Sequence, residues 1–255
     1  MILLLDIGNT HTHVGFAQGR RISGVRNLKT GDIRAGRAAE LLEPLVKGSR
    51  LTGACLCSVV PAATGPIQQA LRQGLGFQAL QLGPKTLRGV GIDYPRPASI
   101  GQDRLANAVA AKHRFGAPVL VVDFGTAVTF DVVDAAGNYL GGVIAPGLAA
   151  MTDYLHEKTA LLPRIRIREP GSAIGKNTRH AMLAGAVYGY RGLVRQLIHD
   201  VKAELGARRL PVVATGGYAK LMARGVREIT AVCPELTLEG LRLTWEAHHP
   251  PGERG

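Results

Sequence analysis

One local pattern occurs twice in this chain of 255 residues, and it limits the possible folds more than any other feature. Ile2 to Leu5 is a continuous apolar run, the mark of a buried strand. Asp6-Ile7-Gly8-Asn9-Thr10 follows as a polar turn, and Thr12, Val14 and Phe16 then alternate as a second strand. Half a chain later, Val119 to Val122 repeats the buried run and Asp123-Phe124-Gly125-Thr126 repeats the turn. Val128 and Phe130 repeat the alternation, before Asn138 and Gly141-Gly142 signal a further turn. Apart from Asn9, the copies match as strand, Asp-x-Gly, Thr, strand. Such a repeat implies two related α/β halves, about residues 1–117 and 118–255.

The composition supports ordered halves of that size. Hydrophobic residues make up 46% and charged residues 20%, which suits one large core or two smaller domains and argues against disorder. The apolar start is cut by Asp6, far short of the ~20 residues that cross a bilayer. It also lacks a basic leader and a small-residue cleavage site, so a cytoplasmic protein with no membrane contact is expected. Cys55, Cys57 and Cys233 show no CxxC spacing and no nearby His pair, and read as small core residues rather than disulfides or a zinc site. A net charge of +12 suits an anionic partner, whether nucleotide, acidic metabolite or nucleic acid. The basic residues are scattered with few aromatics among them to stack bases, so no specific nucleic-acid binding is expected.

Between the copies, Ser99 stands as an N-cap ahead of Leu105, Ala108, Val109 and Lys112. That puts Gly101-Gln102-Asp103-Arg104 in a helix's first turn, where the dipole favours a carboxylate. In the second half, Asn177 or Thr178 caps a helical stripe of Met182, Ala186, Tyr190, Leu193, Leu197 and Val201, ended by Gly206. The stripe is broad for a singly packed helix and suggests a homodimer. Val212 to Thr215 reads as a strand running into Gly216-Gly217, a turn that lets backbone approach a ligand. Arg164, Arg166 and Arg168 alternate with Ile165 and Ile167 as a solvated strand face, and the tail from Pro250 onward reads as frayed.

An Asp-x-Gly-Asn-Thr turn after a buried strand has a chemical reading. Glycine lets the turn approach a phosphate, Asn9 and Thr10 donate hydrogen bonds, and Asp6 offers oxygens to a metal. An ordinary Asx turn uses the same residues, and one copy does not choose between the two readings. Two copies favour the phosphate reading. Asp123-Phe124-Gly125 lacks the companion loops of a protein kinase, and Gly171 to Thr178 is one spacer short of a P-loop. His11 and His13 are same-face strand neighbours without an HExxH partner, which speaks against a histidine metal site.

The ordered series DIGNT at 6–10, GQDR at 101–104, DFGTAVT at 123–129, GGVIAPG at 141–147, GKNT at 175–178 and ATGG at 214–217 resembles that of type III pantothenate kinases. The resemblance implies a duplicated actin-like (ribonuclease H-like) α/β fold, with mixed sheets flanked by helices. It also implies a homodimer with active sites near the subunit interface, and ATP-dependent phosphorylation of pantothenate in coenzyme A biosynthesis. By resemblance, Asp6, Ile7, Gly8, Asn9, Thr10, His11, Thr12 and His13 cradle the ATP phosphates, with Asp6 near Mg2+, and Thr126 contacts ATP. Asp103 is the base for the pantothenate hydroxyl, and Tyr94, Gly101, Gln102, Arg104 and Thr178 hold that substrate. Asp123 binds K+ or NH4+. The residues alone favour Asp103 as a helix-start carboxylate with Arg104 a solvated basic neighbour, and leave Tyr94 open to loop packing and Thr178 to a helix cap. His11 and His13 stand where relatives carry other residue types. The family also contains members described as Bvg accessory factors, and the fold hosts kinases of other small hydroxylated substrates, so both remain alternative readings.

Overall fold

The structure, a computed structural model, describes residues 1–250, and the structural statements below concern those residues. The expected frayed tail lies, after Pro250, outside them. The chain forms two compact units. One comprises Met1–Arg114, Gly137–Tyr139 and residues 235–250; the other comprises Phe115–Ala136 and Leu140–Pro234. The repeat-based halves, 1–117 and 118–255, differ from these units chiefly because the last helix packs on the first unit's sheet.

In the first unit, β1 (Ile2–Ile7), β2 (His11–Gln18) and β3 (Arg21–Lys29) form an antiparallel meander. α1 (Thr30–Asp32) passes through a π turn at 33–37 into α2 (Ala38–Val46). β4 (Gly53–Ser58) then lies parallel to β1, α3 (Pro61–Leu75) follows, and β5 (Leu80–Gln81) is parallel to β4. The sheet order is β3-β2-β1-β4-β5. After β6 (Gly91–Ile92) and a 3-10 turn, Pro97–Ser99, comes α4 (Gln102–Phe115). β1 is continuously apolar because both of its faces are covered. Leu3, Leu5 and Ile7 pack with Leu56, Leu42, Ile67 and Leu71 on the side of α2 and α3. On the other side Gly53 lies under the Trp245 indole, which leaves no room for a Cβ.

The second unit repeats this plan with β7 (Val119–Phe124), β8 (Ala127–Val133), β9 (Asn138–Pro146), α5 (Leu148–Lys158) and α6 (Thr178–Ala184). A π turn at 185–189 leads into α7 (Tyr190–Glu204), followed by β10 (Val212–Thr215), α8 (Ala219–Ala223) and β11 (Ala231–Val232). α9 (Leu236–His248) belongs to the first unit. The strand order β11-β10-β7-β8-β9 matches that of the first sheet strand for strand. β7 pairs antiparallel with β8 and parallel with β10, as β1 does with β2 and β4. β9 begins in the first unit, where Asn138 and Tyr139 pair with β6. Both sheets are mixed and flanked by helices, as the resemblance implies.

Three local expectations are corrected. Ser99 is not the N-cap of α4: it ends the 3-10 turn, with its hydroxyl donating to Arg96 O at 2.8 Å. Gly101 precedes the helix instead, its carbonyl accepting from Leu105 N–H at 3.3 Å. The helical stripe in the second unit holds in part: Ala186 and Tyr190 are buried as read and Met182, Leu197 and Val201 half-buried, while the π turn at 185–189 adds a residue to one turn. The buried line therefore runs through Leu183, Val187, Tyr190, Val194 and Ile198, while Leu193 is exposed. The arginine stripe at 164–168 keeps its alternation, but in extended chain outside any sheet. Asn177, rather than Thr178, caps α6, its Oδ1 accepting from His180 N–H at 2.9 Å. The three cysteines are free and buried. Among the described residues no helix is long and apolar enough to cross a membrane, and no group of three His, Cys, Asp or Glu side chains is arranged to hold a metal.

Candidate active site

In the first unit two acids come together. Asp6 is the penultimate residue of β1 and pairs in register with His13 of β2 and Cys57 of β4. The Cys57 thiol donates to Asp6 Oδ1 at 3.4 Å. Burial first, and then the neighbouring charge of Asp103, push the Asp6 carboxyl up to about 7, and the Cys57 hydrogen bond works the other way. Burial also pushes Asp103 above the usual carboxylate range, opposed by the Arg104 N–H, which donates to Asp103 Oδ1 at 2.8 Å, and by the Arg104 charge. Asp6, with the Asp103 charge beside it, offers carboxylate oxygens of the kind magnesium takes, so the residues present fit that ion.

The turn between α4 and the preceding chain is shaped around Asp103. A Cβ on Gly101 would lie 2.6 Å from Asp103 Oδ1 and 3.5 Å from Arg104 Cγ and Cδ, so glycine is needed for the carboxylate to fold back there. The Arg104 guanidinium carbon stands 5.8 Å from the centroid of the Tyr139 ring. Tyr94 meets the same ring edge-on, with centroids 6.3 Å apart. Tyr94 and Arg104, both expected at the substrate, thus share one aromatic support. Gln102 points elsewhere: its Oε1 accepts from Ser58 N–H at 2.9 Å and from Gln81 Nε2 at 3.2 Å.

The turn at 6–13 divides by burial. Ile7 is core, and Thr12 is fully buried with its hydroxyl 3.0 Å from that of Thr30, so these two side chains build the turn from inside. Asn9, Thr10 and His11 form the exposed tip, closed by Gly8 N–H donating to His11 O at 3.0 Å. Thr30 ties the base of the turn, its hydroxyl donating to Gly8 O at 2.7 Å and its N–H to Thr10 O at 3.1 Å. Thr30 was not legible from the sequence, since a lone Thr after a polar strand carries no pattern. His13 Nδ1 lies 2.7 Å from Asn27 Oδ1 on β3.

In the second unit the glycine motifs gather around the second acid. Asp123 is the penultimate residue of β7, and Thr126 is exposed at the turn to β8. Gly216 has φ +87°, and a Cβ there would lie 2.5 Å from Asp123 Oδ1. Gly147 N–H donates to Thr126 O at 3.1 Å, packed so closely that a Cβ on Gly147 would overlap that carbonyl. The segments DFGT, APG and TGG, scattered over 123–217, therefore form one glycine-lined surface around Asp123 and Thr126. Thr178 is exposed at the first turn of α6, just after the Asn177 cap.

Two sheets that share a five-strand order, each with an acid one residue before the end of its central strand, define an actin-like α/β fold. Solved structures share this fold: an inorganic polyphosphate/ATP-glucomannokinase from Arthrobacter sp. strain KM superposes with TM-score 0.53 at 14% identity, covering 97% of this chain and 99% of that one. A conserved protein assigned to the Baf family of transcriptional activators, from Campylobacter jejuni, gives TM-score 0.61 at 18% identity, covering 96% and 98%. At such identities the likeness concerns fold alone. The sequence goes further. The family model described as type III pantothenate kinase matches residues 2–200. The chain is 47% identical over 242 residues to a type III pantothenate kinase of Akkermansia muciniphila, covering 94% of this chain and 96% of that protein. It is 42% identical over 246 residues to one of Methylacidiphilum infernorum, covering 96% and 88%. The chain belongs to the type III pantothenate kinase family.

Proposed function

We propose that the protein transfers the γ-phosphoryl group of ATP to the primary hydroxyl of pantothenate, giving 4′-phosphopantothenate at the first step of coenzyme A biosynthesis in the cytoplasm. The observation that carries the mechanism is the half-buried pair Asp6 and Asp103, on different elements and of different surroundings. Asp103, at the start of α4, takes the hydroxyl proton as the oxygen attacks the γ-phosphorus and the bond to ADP breaks. A burial-raised carboxylate is a stronger base than an exposed one, which suits this step. Gly101 gives the carboxylate its room, and Arg104 and Tyr94, supported on Tyr139, hold the carboxylated substrate. Asp6 holds magnesium, and the exposed tip Asn9-Thr10-His11 presents backbone donors to phosphate oxygens. Magnesium, when bound, neutralises phosphate charge as phosphoryl transfer requires. Asp123 and Thr126 in the second unit serve the monovalent cation, K+ or NH4+, and the nucleotide, and Thr178 reaches pantothenate. The functional form is a homodimer.

The test is turnover of purified protein with ATP against pantothenate, pantetheine and simple sugars. Asp103→Asn keeps size but removes the basic lone pair, so pantothenate turnover should fall roughly 10²- to 10⁴-fold with ATP affinity little changed. Phosphorylation of a sugar with pantothenate untouched, or wild-type turnover by Asp103→Asn, refutes the reading.

A further inference from the structure

The strand ends beside the catalytic acids leave a gap that one side chain fills. β5 stops at Gln81, paired with Leu56 of β4, so Ser58 at the end of β4 has no strand partner on that side. Its N–H donates instead to Gln102 Oε1 at 2.9 Å, and Gln81 Nε2 donates to the same oxygen at 3.2 Å. A backbone N–H only donates, so the amide atom facing Ser58 is the oxygen. The other end of the amide faces the Gly83 turn, where a Cβ would stand 3.9 Å from Gln102 Nε2. The whole Gln102 amide is thereby turned onto the ends of β4 and β5. Asp103, the next residue, folds its carboxylate back over Gly101.

We infer that Gln102 is a positioning residue for Asp103 and not a contact for the acceptor substrate. Its side chain replaces the missing strand partner of Ser58 and fixes the first turn of α4 to the sheet that carries Asp6. The linkage starts from β4, where Cys57 hydrogen-bonds Asp6 and the following residue, Ser58, holds Gln102. One dipeptide thus sets both acids, and the separation between them depends on the Gln102 bond. Ser99 offers no second anchor at the helix start, because its hydroxyl is spent on its own 3-10 turn. This inference rests on Asp103 acting as the base.

Steady-state kinetics of Gln102→Ala, Gln81→Ala and the double variant test it. A displacement of the base on the order of 1 Å costs turnover more than binding, so Gln102→Ala should lower kcat about 10- to 100-fold while KM for pantothenate stays within about threefold. Gln81→Ala, which acts only through Gln102, should lower kcat to a smaller extent, and the double variant should match Gln102→Ala rather than multiply the two effects. A raised KM for pantothenate with kcat unchanged makes Gln102 a substrate contact and overturns the inference, as do multiplicative effects. If Gln102→Ala yields no folded protein by thermal melting, Gln81→Ala carries the test alone: a kcat loss at constant KM supports the inference, and wild-type kinetics overturn it. Asp103→Asn run beside them separates the two ideas: full turnover by Asp103→Asn removes the base and the positioning role with it, whereas loss of turnover by Asp103→Asn together with wild-type kinetics of Gln102→Ala overturns this inference alone.

Discussion

Glu169→Gln perturbs the segment that leads to Thr178, and its cost can be worked from the contacts. Glu169 lies in the chain between α5 and α6, and its carboxylate takes a bidentate pair from Arg191 of α7, at 2.8 and 2.7 Å. The Arg191 side chain is 5% exposed, and it also donates to Leu221 O at 2.7 Å. It is packed against Gly225, where a Cβ would lie 2.5 Å from Arg191 Nε. The substitution therefore leaves a buried guanidinium without its counter-charge. Breaking a wholly buried pair costs about 3–5 kcal/mol, and an exposed pair is worth at most about 1 kcal/mol. The Glu169 side chain is 39% exposed, so solvent screens part of the loss. A value of about 2 kcal/mol follows, equivalent to a Tm lower by roughly 4–8 °C in a chain of this size. The pH dependence has a definite sign. Arg191 holds the Glu169 carboxyl below its ordinary value of 4.5, first through the hydrogen bonds. A depressed carboxylate stabilises the fold above the unfolded value and loses that contribution as pH falls through the folded one. The gap between wild type and Glu169→Gln should thus be constant from about pH 6 to 8 and narrow below 4.5. Thermal melts of both proteins across this range decide the matter. A gap under about 0.5 kcal/mol at pH 7, within what an ordinary surface change costs, would refute the reasoning, as would a gap that persists unchanged in acid.

Two further outcomes concern the acids themselves. Gly216→Ala places a Cβ against Asp123 Oδ1 at φ +87° and should raise the K+ or NH4+ concentration needed for half-maximal activity, with KM for pantothenate little affected; a cation titration matching wild type counts against Asp123 as the monovalent site. In metal-free protein kept so by chelator, Asp6 has a folded pKa raised to about 7 from 3.8, so its ionisation destabilises the fold as pH rises through that window. Asp6→Asn lacks this term and should gain stability relative to wild type between about pH 4 and 7, while parallel melting curves would show that Asp6 is not held against its charge.

The two hairpins were legible because each combines a fully buried apolar run with a turn that only small polar residues fill, and both occur with the same spacing. The cap at Asn177 was legible to within one residue for the same local reason. What the sequence hid depends on contacts between distant segments. Nothing near Gln102 announces that β5 will be two residues long and leave Ser58 N–H for a side chain. The π turn at 185–189 shifted the helical phase without any Pro to mark it, so Leu193 was read as inward when it faces out. Ile7 and Thr12, read as part of a phosphate cradle, turn their side chains into the fold, because in a hairpin the residues flanking the tip must also close the core.

The duplication explains how one scaffold provides acids of two kinds. Asp6 and Asp123 occupy the same place in matching sheets, each one residue before the end of its strand and each facing the parallel neighbour, Cys57 in one case and Thr215 in the other. The difference lies in the next residue of that neighbour. In the first unit it is Ser58, whose hydroxyl is engaged with Val60 and Thr64, and the Asp6 carboxylate hydrogen-bonds the Cys57 thiol and feels the charge of Asp103. In the second unit it is Gly216, whose missing side chain lets the Asp123 oxygen lie against its backbone. A side chain at 216 would push Asp123 back, and a glycine at 58 would remove the hydroxyl that ties the end of β4 to α3. The register equates the two acids, and a single residue beyond it sets one beside a second carboxylate and the other against a glycine-lined turn.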